Sequence, residues 1–572
     1  MSIETMSANS GPMLNAYPDS MGGTLGDITE FLKKEELQDV FSSFYILPSI
    51  FNTDLDRGFS VIDYTLNDLL AKKEDLDGLE KSGIDLKLDF ILNHASVLSK
   101  QFQDIIKNGE QSKYKDFFID WNKFWDGHGT MTEEGYIQPD AKLIEHMFFR
   151  KPGLPILMVH FPDGKNVPYW NTFYQEVKYP VLDAQDIMGA AAVQYGTAEK
   201  VAVFVNEAIA LGQKPTEISF CREEGDFSGQ KDAVVELLES RRKYLGQMDL
   251  NIKSPLVWEF YDDTLKILAS YGAKIVRLDA FAYAPKEPGE KNFLNEPGTW
   301  ELLDKVRKLA DKYQLTLLPE IHASYGEKNY ETIAEKGYMT YDFFLPGLII
   351  DALEQNNGEV LVQWAEELQE KQIHVVNMLG CHDGIPLLDL KGLIPDERIQ
   401  QIIDTVVSRG GFVKDLHGQK NVYYQVNATY YSALGEDDKK MLLARALQLF
   451  MPGKPQVWYL DLFAGKNDHE AVKRAGVGGH KEINRTNLTK AKMEEKLKEP
   501  VVQKQLEMLR FRKECPAFGF DSVLEVKASG EKMCFIWKNN GWQAELTADL
   551  KTCAFEMKGM NEHGECKYRI EI

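Results

Sequence analysis

Basic charge is the first thing this 572-residue chain is short of. Its 66 Lys and Arg face 88 Asp and Glu, a net charge of −22, which leaves no electrostatic drive toward nucleic acid or anionic lipid and points to small ligands recognised locally. Cysteine is also sparse. The six (Cys221, Cys381, Cys515, Cys534, Cys553, Cys566) form no C-x-x-C pair, so neither a metal site nor a disulfide framework is expected. No apolar run reaches the length of a membrane span, and Met1–Ser7 lacks both a basic start and an apolar stretch; a cytoplasmic protein with no membrane partner is the expectation. Low-complexity tracts, short repeats and long linkers are missing too, with 43 Gly and 22 Pro spread along the chain. Both a monomer and a homodimer are compatible with this composition.

What is present is a series of short apolar runs separated by helical patterns. The clearest are 44–48, 86–94, 274–279, 315–322, 374–383 and 456–460, with weaker ones at 13–16 and 339–344. Continuous rather than alternating apolarity marks strands buried on both faces, and helical segments such as 302–310 and 440–450 lie between them. The pattern predicts an α/β protein: a (β/α)8 TIM barrel with inserted subdomains and a small C-terminal β domain. The expected division is 1–96 as the first part of the barrel, 97–173 as an inserted subdomain and 174–246 as a largely helical second insertion. The barrel continues over 247–384 and ends over 440–512, with acceptor loops at 385–439 and the β domain at 513–572. A gap from 94 to 274 is far too long for a βα loop, which is why insertions are required there.

Four of the runs end in polar chemistry: Asp89, Asn93 and His94; Arg277 and Asp279; Glu320 and His322; His382 and Asp383. C-terminal strand ends of a barrel converge on one pocket. Any one of these residues alone is more often a strand cap, an ion-pair partner or a satisfied structural histidine; the ordered set is harder to explain that way. Retaining glycosyl transfer needs a carboxylate nucleophile and, about 5–5.5 Å away, a group that protonates the leaving oxygen. Asp279 lies two residues after Arg277, so both face one side of the strand and the guanidinium holds the carboxylate ionised. Asp279 is therefore the expected nucleophile. Glu320, flanked by Leu318, Pro319 and Ile321, is expected to be desolvated, raised in pKa and fit to act as acid/base. Asp383 with His382 then grips hydroxyls and stabilises positive charge in the transition state.

These residues resemble the four signature regions of the α-amylase clan, glycoside hydrolase family 13: Asp89-x-x-x-Asn93-His94, Arg277-x-Asp279, Glu320 and His382-Asp383. Further motifs are similar to the sucrose phosphorylase subfamily: Asp56-Arg57-Gly58-Phe59, Pro152-Gly153-Leu154-Pro155, Tyr424 through Gly435, Ala464-Gly465-Lys466-Asn467-Asp468 and Glu482-Ile483-Asn484-Arg485. The resemblance covers nearly the whole chain apart from the 174–246 insertion. It implies a covalent glucosyl intermediate on Asp279 that inorganic phosphate, a substrate and not a cofactor, releases as α-glucose 1-phosphate. No cofactor and no metal are implied. Asp56 and Arg485 would bind the far hydroxyls, Phe59 and Phe173 would contact the ring face, and His94, Arg277, His382 and Asp383 would complete the donor subsite. Tyr283, His322, Tyr424 and Gln425 would border the acceptor and phosphate.

One departure bears on the acceptor. Where sucrose enzymes of the subfamily tend to carry Pro-Arg-Pro before Gly-Leu-Pro, this chain has Arg150-Lys151-Pro152, and its 415–420 loop also differs. Two cations there suit an anionic acceptor such as fructose 6-phosphate or glycerate, although exposed Arg-Lys pairs are often only solvated surface. The alternative is an α-glucosidase or transglucosidase on the same scaffold, since the three carboxylates serve water as well as phosphate. A non-catalytic carbohydrate-binding relative ranks below both, because it has no need of Asp279, Glu320 and Asp383 together.

Overall fold

The eight apolar runs become the eight strands of one parallel sheet. They are β1 (Met13–Ala16), β2 (Ser43–Ile46), β3 (Asp85–Ile91), β4 (Ala273–Asp279), β5 (Thr316–Pro319), β6 (Thr340–Asp342), β7 (Val375–Met378) and β8 (Lys454–Trp458). The protein is described by a computed structural model covering residues 9–150, 152–415, 423–476 and 478–572, with backbone alone for 414, 415, 423 and 424. Lys151, the Tyr424 side chain and most of the 415–420 loop therefore lie outside the described residues.

Ladders run in the order β5-β4-β3-β2-β1-β8-β7-β6, every one parallel. The two ends of this order, β5 and β6, are consecutive in the chain and lie side by side, so the sheet is nearly closed as a barrel. Each strand is followed by at least one helix; Gly298–Asp311, after β4, buries Trp300, Leu302, Leu303, Val306 and Ala310 on one helical face.

Strand alternation decides what faces inward. In β4, Val276 and Leu278 point to the helices while Arg277 and Asp279 point to the axis. The interior is unusually polar for a barrel core. Lys87 donates to the Tyr341 hydroxyl and, at 2.8 Å, to Gln456 Oε1, and its ammonium lies 3.9 Å from the Tyr45 ring centre. Every partner is buried, so the polar atoms are satisfied inside rather than by solvent.

The ladders end earlier than the apolar runs do. β3 stops at Ile91, and His94–Ser96 leaves the barrel to pair antiparallel with Lys243–Asp249. β5 stops at Pro319, which has no N–H to continue a ladder. Lys243–Asp249 pairs in turn with Gln175–Lys178, making a stem from which the helices Ala184–Ala191, Tyr195–Ala210 and Lys231–Arg241 extend around their own core of Ile187, Val201, Val205, Val234 and Leu238. The earlier insertion is built on Trp121, Trp125 and Trp170. At the C-terminus five antiparallel strands, Val523–Ser529 to Cys566–Glu571, alternate inward and outward residues, and Trp537 Nε1 ties them to the barrel by donating to Phe450 O at 2.8 Å. Among the described residues no helix is long and apolar enough to cross a membrane.

A buried ion pair locks the first insertion to the barrel. Lys286, in the loop after β4, contacts Asp249 at 2.8 Å and Asn93 Oδ1 at 3.0 Å, while Asp249 accepts from the Thr172 backbone at 2.9 Å. Removing one member leaves the other charge buried alone. Lys286→Met should cost about 3–5 kcal/mol in urea unfolding; a loss below about 1 kcal/mol would mean that Asp249 is stabilised without it.

Candidate active site

Loops at the C-terminal ends of the strands enclose a cavity of about 580 Å³. Of the residues expected at the site, Asp56, Phe59, His94, Arg150, Phe173, Arg277, Asp279, Tyr283, Glu320, His322, His382, Asp383 and Gln425 all line it. Arg485 sits directly behind, 3.8 Å from Asp383 Oδ1.

At the floor, the Arg277 guanidinium is shared by three carboxylates. One nitrogen contacts Asp89 Oδ1 and, at 3.0 Å, Asp279 Oδ1; the other contacts Glu320 Oε1 at 2.6 Å. Tyr45 donates to the remaining Asp89 oxygen at 2.8 Å. β4 supplies both Arg277 and Asp279, β3 supplies Asp89, and Glu320 follows the end of β5, its N–H donating to Leu278 O at 3.3 Å. Asp279 and Glu320 are thereby held on the two nitrogens of one planar group.

The pKa directions of the two carboxyls run opposite to those expected from the sequence. Burial lifts the Asp279 carboxyl, Arg277 offsets only part of this, and the charges of Glu320 and Asp89 push it further above the carboxylate range. Burial lifts Glu320 as well, but Arg277 and His322 outweigh it and hold Glu320 below its usual value. Leu318, Pro319 and Ile321 do desolvate Glu320; the cations they enclose with it decide the sign. Backbone strain accompanies the nucleophile: Ala280, next to Asp279, sits at φ 52°, a left-handed conformation that costs a β-carbon-bearing residue of order 1–3 kcal/mol.

The opposite wall is stitched from three motifs. Asp56 and Arg57 both have positive φ and lead into Gly58, where a β-carbon would collide with the Ser49 backbone nitrogen at 2.3 Å. Arg57 donates to Arg485 O at 3.0 Å, Arg485 Nε to His382 O at 2.9 Å, and Asn484 to Cys381 O at 2.9 Å. Phe59 stacks on His382 with ring centres 5.0 Å apart, and Phe173 packs against His94 and Tyr283 at 5.0 and 5.3 Å. Burial drives the His94 and His382 pKa values down to about 4 and about 3, so both rings are neutral and offer one donor and one acceptor each.

Lys481 was not anticipated. It lines the cavity and forms an ion pair with Asp383, whose pKa, raised by burial, is brought well below the carboxylate range by Lys481, His382 and Arg485. The signal available was its position immediately before the Glu482-Ile483-Asn484-Arg485 motif. On the outer side Arg150 donates to the Tyr283 hydroxyl at 3.0 Å and lies 4.9 Å from the Phe173 ring centre, while Lys391 and Asp389, also unanticipated, complete the rim. Among the described residues no cluster of His, Cys, Asp or Glu is arranged to hold a metal ion.

With this geometry the chain can be set beside known proteins. No protein-family model matches it. It is 48% identical to a sucrose 6(F)-phosphate phosphorylase of Ilumatobacter coccineus, over 95% of this chain and 94% of the relative. The chain belongs to the sucrose phosphorylase subfamily of glycoside hydrolase family 13. A second relative of the same description, from Thermoanaerobacterium thermosaccharolyticum, is 34% identical over 97% of this chain and 98% of its own. The crystal structure of a sucrose 6F-phosphate phosphorylase from Thermoanaerobacter thermosaccharolyticum superposes with a TM-score of 0.80 at 31% identity, covering 100% of this chain and 99% of that one. This member of the subfamily is thus an enzyme, a glucoside phosphorylase, and the hydrolytic alternative is not favoured.

Two outcomes check the site. Asp279→Ala should lower glucosyl transfer by about 10⁴-fold or more; near-normal turnover would remove it as nucleophile. The second concerns His322. Burial opposes its charge, but Asp389 at 3.3 Å and Glu320 at 3.6 Å raise its pKa from 6.5 to about 10. A raised pKa means that the folded state holds this proton more tightly, so the stabilisation is complete below pH 6.5 and is lost as pH rises toward 10. Asp389→Asn should flatten that decline in chemical unfolding, and an unaltered slope would show that the pair does not set it.

Proposed function

We propose that the enzyme is a retaining phosphorylase in which Asp279 attacks the anomeric carbon of an α-glucoside while Glu320 protonates the leaving oxygen. Inorganic phosphate then takes the glucosyl group from Asp279, with Glu320 returning as base, and leaves as α-glucose 1-phosphate. Asp383 and the neutral His382 bind ring hydroxyls, and the carboxylates stabilise the positive charge that develops at the ring. The observation that carries this reading is the placement of Asp279 and Glu320 on the two nitrogens of Arg277 at the cavity floor. Asp279 and Glu320 share the Arg277 guanidinium and titrate as a pair, so the single proton they hold resides on Glu320 when it acts as the acid. The double displacement draws on carboxylates and phosphate alone, with no cofactor, and a phosphorylated product suits a cytoplasmic enzyme.

For the natural glucoside the reading is sucrose 6F-phosphate, cleaved to α-glucose 1-phosphate and fructose 6-phosphate. Supporting it are the two relatives described as sucrose 6(F)-phosphate phosphorylases and the cationic rim. Arg150 is braced by Tyr283 and Phe173, which pre-organises a guanidinium suited to a bidentate phosphate contact, and Lys151 follows it in the sequence.

An acceptor screen with α-glucose 1-phosphate, scored by phosphate release, tests this. Fructose 6-phosphate should exceed fructose, glycerate and glycerol in kcat/KM, and equal rates for fructose and fructose 6-phosphate would overturn the anionic acceptor. Arg150→Met should lower kcat/KM for fructose 6-phosphate by about 10- to 100-fold while sparing α-glucose 1-phosphate breakdown; equal losses would remove Arg150 from acceptor recognition.

A further inference from the structure

We propose that Lys481 is a donor-binding residue, its ammonium donating to a hydroxyl of the transferred sugar that lies between Asp383 and Asp56. The inference rests on the placement of Asp383 in the donor subsite.

The side chain reaches the cavity from the turn Gly479–Asn484 and is only 20% exposed. Burying an ammonium is expensive and calls for more than one partner. Asp383 is one. Asp56 lines the same cavity and is a second favourable charge for Lys481, with Arg485 opposing. Keeping Asp383 ionised does not by itself require this lysine, since Arg485 also stands 3.8 Å from the same oxygen. An ammonium has three donors on a flexible stem, and one contact with Asp383 leaves others for the cavity that lies between the two aspartates.

A second observation points to the ligand that completes the cluster. His382 Nδ1 and Arg485 Nη2 are buried polar atoms without a hydrogen-bond partner among the described residues, the latter with an ion contact of 3.8 Å to Asp383 Oδ1, which Lys481 also contacts. Native proteins rarely leave such atoms unmatched. Around Lys481 they form a mixed set of donors and acceptors, and a neutral polyol matches it because each hydroxyl gives one hydrogen bond and accepts others. A hydroxyl that accepts from Lys481 donates its own hydrogen bond to Asp383 or Asp56, so that both charged groups are satisfied at once.

The test is coupling between the lysine and individual hydroxyls. Exchange of labelled inorganic phosphate into α-glucose 1-phosphate needs no acceptor, so it is independent of the fructose 6-phosphate reading. It is to be measured with α-glucose 1-phosphate and its 3-deoxy, 4-deoxy and 6-deoxy forms, for the parent enzyme and for Lys481→Met, Lys481→Gln and Asp383→Asn. In the parent, loss of the contacted hydroxyl should lower kcat/KM by about 10- to 100-fold, and in Lys481→Met the same loss should cost no more than about 3-fold. Lys481→Gln, which keeps a donor, should fall between them and covers the case in which the methionine variant does not fold. If the lysine variants lower all four substrates by one common factor, or none of them, Lys481 does not touch the sugar. If Asp383→Asn leaves exchange unimpaired, the donor-subsite placement fails and the inference falls with it, an outcome separate from the first.

Discussion

The Arg277 guanidinium is the constraint around which the site is arranged. Three carboxylates from consecutive parts of the barrel, Asp89, Asp279 and Glu320, converge on it; Asp89 and Arg277 are buried, and Asp279 and Glu320 face the cavity. Two ionised carboxylates this close repel unless a cation lies between them or one takes up a proton. Arginine suits the position because its nitrogens are fixed in a plane and it stays charged, so it sets direction as well as neutralising charge. Tyr45 holds Asp89 from below, and the Lys87, Tyr341 and Gln456 group fills the next level of the barrel. The floor of the pocket therefore rests on a hydrogen-bonded column instead of an apolar one, and the geometry of the reacting carboxylates is inherited from the barrel axis.

The other pole of the site follows a different logic. Around Asp383 the positive charges of Lys481 and Arg485 outnumber the carboxylate, and two neutral imidazoles stand beside them. Between the poles the cavity changes from carboxylates gathered on one guanidinium to the aspartates Asp383 and Asp56 interleaved with Lys481 and Arg485. A neutral ligand with hydroxyls on every side is oriented by such an arrangement, since its hydroxyls both donate and accept.

Much of this was legible in the residues. Strands buried on both faces leave continuous apolar runs, so all eight could be found, β1 and β6 included. Period-two alternation put Arg277 and Asp279 on one face without any further information. What the sequence concealed was set by distances between strands. Whether Glu320 is raised or lowered depends on how near Arg277 and His322 come, which no local pattern reports. Lys481 was overlooked because a lysine in a turn is nearly always solvated, and only its burial against Asp383 shows otherwise. The Asn93-His94 pair looked like the end of a barrel strand, yet His94 begins a second sheet whose partner lies far along the chain.

That second sheet ties parts of the molecule that would otherwise be separate. His94–Ser96, Lys243–Asp249 and Gln175–Lys178 form one three-stranded unit. Its near end carries His94 and is adjoined by Phe173 at the cavity wall; its far end leads into the helices around Ile187 and Val205. The helical insertion is thus mounted on the same beam as the donor wall, while the reacting carboxylates are mounted on the barrel. Helices can be lengthened, shortened or exchanged at the far end of the beam with the chemistry at its near end still referenced to a different support.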